Sequence, residues 1–147
     1  MACTCKMEAL KVKRIEEEAK APTRKHITDA GMDVYALEEV LIPPHTMEVV
    51  RTGVTADFPD NTVALVWPKS RSNFLIGAGV IDCGYQGEIL VKVTNVSNEN
   101  LMIEKHQGLA QIIIVPVICP PVEEVDEIHQ EESDRGATGG IAGNAIE

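Results

Sequence analysis

Apolar and polar positions alternate over short stretches of this chain, and proline or glycine ends most of them. Leu10-Lys11-Val12-Lys13-Arg14-Ile15 opens with alternation and reads as a first strand. Met32–Ala36, Val40–Ile42, Met47–Val50, Thr62–Trp67, Ile89–Thr94, Leu101–Ile103 and Leu109–Val117 read as further strands. Asp29-Ala30-Gly31, Pro43-Pro44, Gly53, Pro68 and the polar run Asn95–Asn100 supply the turns between them. Glu16–Lys20 has room for one helical turn before Pro22 stops it. No amphipathic stretch reaches ordinary helix length. Many short strands separated by turn signals predict an all-β sandwich or barrel.

Pro120-Pro121 closes the patterned region. The expected division is a β domain over residues 1–122 and an arm over 123–147. The arm is acidic from Glu123 to Glu132, then small and glycine-rich from Arg135 to Gly143. Such a segment reads either as a floppy tail or as a mobile lid that carries one arginine to a bound ligand.

Composition narrows the possible partners. Aromatic residues make up 3% of the 147, so the core must be aliphatic. The net charge of -10 argues against general nucleic-acid binding, which needs a basic face, and against an anionic membrane surface. An anionic small substrate then requires a local basic cluster or a metal ion. Cys3, Cys5, Cys83 and Cys119 lack metal-ligand spacing and read as free thiols of a reducing cytoplasm. The N-terminus has no apolar signal core, and no apolar run is long enough to span a membrane.

Candidate chemistry concentrates in Gly79-Val80-Ile81-Asp82-Cys83-Gly84-Tyr85-Gln86-Gly87-Glu88. One acid sits in an apolar, glycine-rich turn, with an aromatic three residues on. Val80 and Ile81 are expected to shield Asp82 from water, a setting that tunes a carboxylate as a base. The strand that begins at Ile89 is expected to hold the block rigid. Pro68-Lys69-Ser70-Arg71-Ser72 alternates cations and hydroxyls at a strand end, which suits a phosphate cradle. Asp33 follows a glycine turn, and either caps that turn or serves a site. Gln111 lies inside an apolar run and needs a polar partner, structural or ligand. No Ser-His-Asp arrangement, dinucleotide fingerprint or Walker-type loop is present, and His26, His45, His106 and His129 receive no role. The chemistry on offer is one carboxylate base, a basic cradle and a magnesium ion.

In chain order these pieces resemble the five motifs of the trimeric deoxyuridine triphosphatases (dUTPases). The first is similar to Asp29–Ala36, the second to Pro68-Lys69-Ser70, the third to Gly79–Glu88, the fourth to Gly108–Ile113, and the fifth to Arg135-Gly136. The third match is close and specific. The resemblance implies a jelly-roll β-sandwich assembled as a homotrimer, with each active site built from three subunits. It implies hydrolysis of dUTP to dUMP and pyrophosphate, which clears dUTP and supplies dUMP for thymidylate synthesis. Under it, Asp82 activates the attacking water and Tyr85 packs on the deoxyribose, excluding a 2′-hydroxyl. Lys69, Ser70 and Arg71 bind phosphates. Gly77, Val80, Ile81, Leu90 and Gln111 complete the substrate contacts. Arg135 and Thr138 reach the terminal phosphate from the tail. Asp33 and Gln111 hold Mg²⁺ or its waters in the outer sphere.

Several residues depart from the family pattern. Lys69 stands where arginine is more usual, and Arg71 where a small residue is more usual. No basic residue precedes the apolar pair of the fourth motif. The segment from Ser70 to Asp82, expected as the hairpin that reads uracil, is short, with Gly77 where an asparagine usually sits. The tail lacks its uracil-stacking aromatic and offers Ile141 instead. A dCTP deaminase-like enzyme, a broader deoxynucleoside triphosphate pyrophosphatase and a non-catalytic nucleotide-binding regulator stay open as alternatives.

Overall fold

Among residues 7–128, which the computed structural model describes, every regular element is a strand. They are β1 (Lys11–Arg14), β2 (Met32–Tyr35), β3 (Val40–Ile42), β4 (Met47–Arg51), β5 (Val54–Asp57) and β6 (Thr62–Trp67). The second half adds β7 (Leu75–Ile76), β8 (Gly79–Asp82), β9 (Leu90–Thr94), β10 (Leu101–Ile103) and β11 (Gly108–Pro116). The expected strands are present with small shifts at their ends. Three others were not expected. β5 is a four-residue piece directly after Gly53, β7 has only two residues, and β8 lies inside the stretch read as a glycine turn. In place of a helical turn, residues 16–19 form a bend closed by Ala19 N–H donating to the Glu16 carbonyl at 3.1 Å.

The strands form antiparallel sheets in the orders β2-β11-β6-β8, β4-β9-β7, β1-β5 and β10-β3. β11 is the hub of the largest sheet. Its Gln111 stands opposite Asp33 of β2 on one side and Trp67 of β6 on the other. Its register against β2 shifts between Gly108 and Ala110, the irregularity that lets a strand bend.

The core is aliphatic, as the composition requires. Ile42, Ile89, Ile103, Leu109 and Ile112 are essentially buried, and each such side chain contributes about 1.5–3 kcal/mol on leaving water. Two polar residues share this interior, and both are satisfied. Thr52 Oγ1 donates to the Ile89 carbonyl at 2.6 Å, and Asn95 Nδ2 donates to the carbonyls of Ile42 and Glu99 at 3.0 and 2.7 Å. Asn95 thereby ties the end of β9 to β3.

Candidate active site

Two clusters gather most of the expected site residues, at different places on the large sheet. The first lies where β6 ends. Pro68 breaks the strand, and the chain turns so that Lys69 Nζ donates to Asp33 Oδ2 at 2.8 Å, both side chains about one-third exposed. Gln111 Nε2 donates to the Pro68 carbonyl at 3.0 Å, so the polar partner that Gln111 needs is the backbone of the same turn. Two glycines make this packing possible. A Cβ at Gly108 would lie 2.9 Å from Lys69 Nζ, and one at Gly31 would lie 2.9 Å from Gln111 Cβ. Ser70 and Arg71 follow on the exposed turn, which Ser72 N–H closes onto the Lys69 carbonyl at 3.3 Å. The expected residues Asp33, Lys69 and Gln111 are therefore one cluster, with Ser70 and Arg71 beside it.

The second cluster is built on β8. This strand pairs with β6 so that Gly79 stands opposite Val66 and Asp82 opposite Val63. Gly79 fits because a Cβ there would press on Val66 at 3.0 Å. Asp82 ends the strand, and Tyr85 N–H donates back to its carbonyl at 3.0 Å. Tyr85 Oη then donates to the Glu88 carbonyl at 2.7 Å, and the ring occupies the space beside Gly87, where a Cβ would sit 2.6 Å from Tyr85 Cζ. A cavity of about 220 Å³ brings together Val80, Ile81, Asp82, Tyr85 and Leu90, all expected at the site.

Three details differ from the sequence reading. Asp82 is exposed and Val80 is 69% exposed, so within one chain the apolar residues do not shield the acid. Rigidity comes from β8 itself, held on β6, as well as from β9. And residues 75–82 do not pair on themselves as a hairpin. β7 joins β9 while β8 joins β6, so this segment passes between sheets, with Gly77 N–H donating to the Lys92 carbonyl at 2.9 Å. A larger groove of about 430 Å³ shares Tyr85 but is lined otherwise by Lys11, Lys13, Asp57 and Cys83, among others.

One chain does not join the two clusters. Asp82 faces Val63, whereas the Lys69 turn begins only after Trp67, so the β6 register separates them by roughly 13 Å or more at strand rise. Arg135 and Thr138 lie outside the described residues. Among the described residues no three His, Cys, Asp or Glu side chains converge as metal ligands. Asp33 and Gln111 nevertheless stand side by side with oxygen atoms at the same turn. That donor set fits a magnesium ion carried by substrate phosphates and its own waters, which needs few protein ligands.

Glu88, which closes the third motif, has a structural role that its local sequence does not mark. Its carboxylate, 16% exposed, accepts from Arg51 Nε at 3.1 Å and from Gly53 N–H at 2.7 Å, and Arg51 Nη2 also donates to Glu16 at 2.9 Å. The hydrogen bonds to Glu16 and then Glu88 push the Arg51 guanidinium above its already high pKa. A lone acid directly before an apolar strand was the only sequence signal for this network.

A family model described as dUTPase matches residues 17–141. The chain is 37% identical over 139 residues to a deoxyuridine 5′-triphosphate nucleotidohydrolase of Clostridioides difficile, covering 90% of this chain and 97% of that protein. A protein of the same description from Yarrowia lipolytica is 36% identical over 135 residues, covering 89% and 86%. Among solved structures, the dUTPase of Staphylococcus bacteriophage 80alpha, as a point mutant with dUpNHpp, superposes with a TM-score of 0.80 at 28% identity, covering 91% of this chain and 97% of that one. A mutant dUTPase from phage phi11 of S. aureus, described with a structural Mg(II) ion, gives a TM-score of 0.78 at 26% identity, covering 84% and 100%.

Proposed function

The chain belongs to the dUTPase family, and on that premise we propose how its residues hydrolyse dUTP to dUMP and pyrophosphate. It is a dUTP diphosphatase, a hydrolase of nucleotide metabolism. The observation that carries the reading of its site is the split between the two clusters. The Asp82–Tyr85 cavity is walled by apolar groups and by Glu88, whose carboxylate already engages Arg51, and the Lys69 cradle lies roughly 13 Å or more away along the β6 register. A triphosphate needs both at once. The site is completed when the Asp82 cavity of one copy meets the Lys69 turn of another, in a homotrimer of jelly-roll subunits. The uncovered apolar side chains of Val80 and Leu90 support that assembly, since a second copy would also supply the shielding that Asp82 lacks.

Asp82 accepts a proton from water as the water oxygen attacks the α-phosphorus. The bond from that phosphorus to the bridging oxygen breaks, and pyrophosphate leaves with the electron pair. Tyr85 packs against the deoxyribose, with Gly77, Val80, Ile81 and Leu90 around the nucleoside. Lys69, Ser70 and Arg71 bind phosphates and spread the negative charge of the transition state. Asp33 and Gln111 are the residues that would hold Mg²⁺, which would supply positive charge against the phosphate oxygens. By resemblance to the family, Arg135 and Thr138 of the 123–147 stretch are assigned to the γ-phosphate of a neighbouring site. These cations offset a chain charge of -10 where the substrate binds. Free thiols at Cys83 and Cys119 support a cytoplasmic setting.

The test is hydrolysis of a panel of nucleoside triphosphates, with pyrophosphate, phosphate and ammonia resolved as products. Metal-dependent pyrophosphate release from dUTP is expected. Ammonia released from dCTP, with dUTP untouched, would overturn the reading.

A further inference from the structure

Tyr85 owes its position to a part of the chain that touches no nucleotide in the scheme above. Its hydroxyl donates to the Glu88 carbonyl at 2.7 Å. That carbonyl belongs to the same planar peptide unit as the Ile89 N–H, which donates to the Val54 carbonyl at 2.9 Å. In a trans peptide the two groups point in opposite directions, so fixing the N–H on Val54 aims the carbonyl at Tyr85. The next carbonyl, of Ile89, is held by Thr52 Oγ1 at 2.6 Å. The Glu88 side chain then anchors the unit from its other end. Its Oε1 accepts the Gly53 N–H at 2.7 Å, and both oxygens face Arg51 Nε at 3.2 and 3.1 Å. Gly53 itself cannot drift. It has φ +71, a Cβ there would lie 2.8 Å from Ala19 Cβ, and its carbonyl accepts the Ile15 N–H at 2.8 Å.

We propose that Glu88 is a positioning residue for sugar selection: its carboxylate, clamped on Gly53 and Arg51, sets the peptide unit that fixes the Tyr85 ring. The inference rests on the reading that Tyr85 packs against deoxyribose. Charge-assisted bonds to a carboxylate are the stronger kind, and the clamp leaves that carboxylate little freedom to rotate. Arg51 extends the clamp to Glu16, so the bend after β1 and the start of β9 are tied through one guanidinium. A ring misplaced by a fraction of its width no longer fills the space a 2′-hydroxyl would need.

The experiment compares kcat/KM for dUTP and UTP in wild type, Glu88→Gln, Glu88→Ala, Tyr85→Phe, Tyr85→Ala and the double variant Tyr85→Phe with Glu88→Ala, each in the full chain with Mg²⁺. Glu88→Ala is expected to raise the UTP-to-dUTP ratio about tenfold, through loss of positioning rather than of chemistry. Glu88→Gln keeps an acceptor for Gly53 N–H but sets an amide N–H₂ against Arg51. It should fold as wild type and shift the ratio about threefold. In the Tyr85→Phe background, where the hydroxyl is gone, Glu88→Ala should shift the ratio no further. A purely structural role would lower both substrates together and leave the ratio alone. A fixed ratio in both Glu88 variants, with a changed ratio in Tyr85→Ala, overturns the inference. A fixed ratio in Tyr85→Ala instead overturns the reading of Tyr85, and the inference with it.

Discussion

At the end of β6 the polar side chains are paired before any ligand arrives, Lys69 on Asp33 and Gln111 on the Pro68 carbonyl. At the end of β8 the reverse holds. Asp82 is exposed, no cation pairs with it among the described residues, and its neighbours Val80 and Leu90 present apolar surface to solvent. The first region is built in advance: Lys69 is paired with Asp33, and glycines at 31 and 108 make room for its side chains. The second is a wall waiting for an opposite side. A phosphate cradle gains from being preorganised, because its donors then need no rearrangement as charge develops. A base gains from being desolvated only once substrate and water are in place, which an exposed acid permits.

The contrast can be broken at four points. Asp82→Asn changes little volume at an exposed position, so the fold should persist while pyrophosphate release drops about 10²–10⁴-fold. Near-normal turnover would remove Asp82 from the chemistry. Lys69→Met takes the cation from the cradle and leaves Asp33 without its partner, and kcat/KM for dUTP should fall about 10²-fold. If the fall is confined to low salt, Lys69 steers the substrate rather than holding it.

A third test asks whether the halves come from different copies. Asp82→Asn and Lys69→Met chains, denatured together and refolded as a mixture, should recover about a quarter of wild-type activity if assembly is random and each site draws one half from each of two neighbours. No recovery, with mixed oligomers demonstrated, would place both halves in one chain. The smallest effect is optical. Trp67, the single tryptophan, is 42% exposed and borders the cradle opposite Gln111. A non-hydrolysable dUTP analogue with Mg²⁺ should shift its emission by a few nanometres, in Asp82→Asn as in wild type, and much less in Lys69→Met.

Most of the fold was legible because its strands follow simple rules. β6, β9 and β11 are apolar or alternating runs bounded by proline, glycine or asparagine, and they lie where pattern alone puts them. β8 was not legible because its burial alternates while its polarity does not. Gly79 and Ile81 turn inward and Val80, as apolar as Ile81, turns out, so no pattern in the sequence marks a buried face. β7 is too short for any period to show. The site residues were legible as types and motifs but not as groups. That Lys69 pairs with Asp33 depends on β11 lying between β2 and β6, and nothing local to either residue encodes that order. The clamp at Glu88 was hidden for the same reason, since Arg51 and Gly53 are brought to it by the β4–β9 register.

Gly31 shows how such distant order acts on descent. Its backbone needs no left-handed conformation, and the turn it occupies tolerates other residues. What forbids a side chain there is the amide of Gln111, eighty positions later in the sequence, which fills the volume a Cβ would take while it reaches the Pro68 carbonyl. The glycine is therefore held in place by the glutamine. A lineage that loses the glycine must first give up the glutamine, or shorten it, and in doing so detach the turn that carries Lys69. Drift at the glycine alone is closed, although its own neighbourhood marks it as nothing more than a loop glycine.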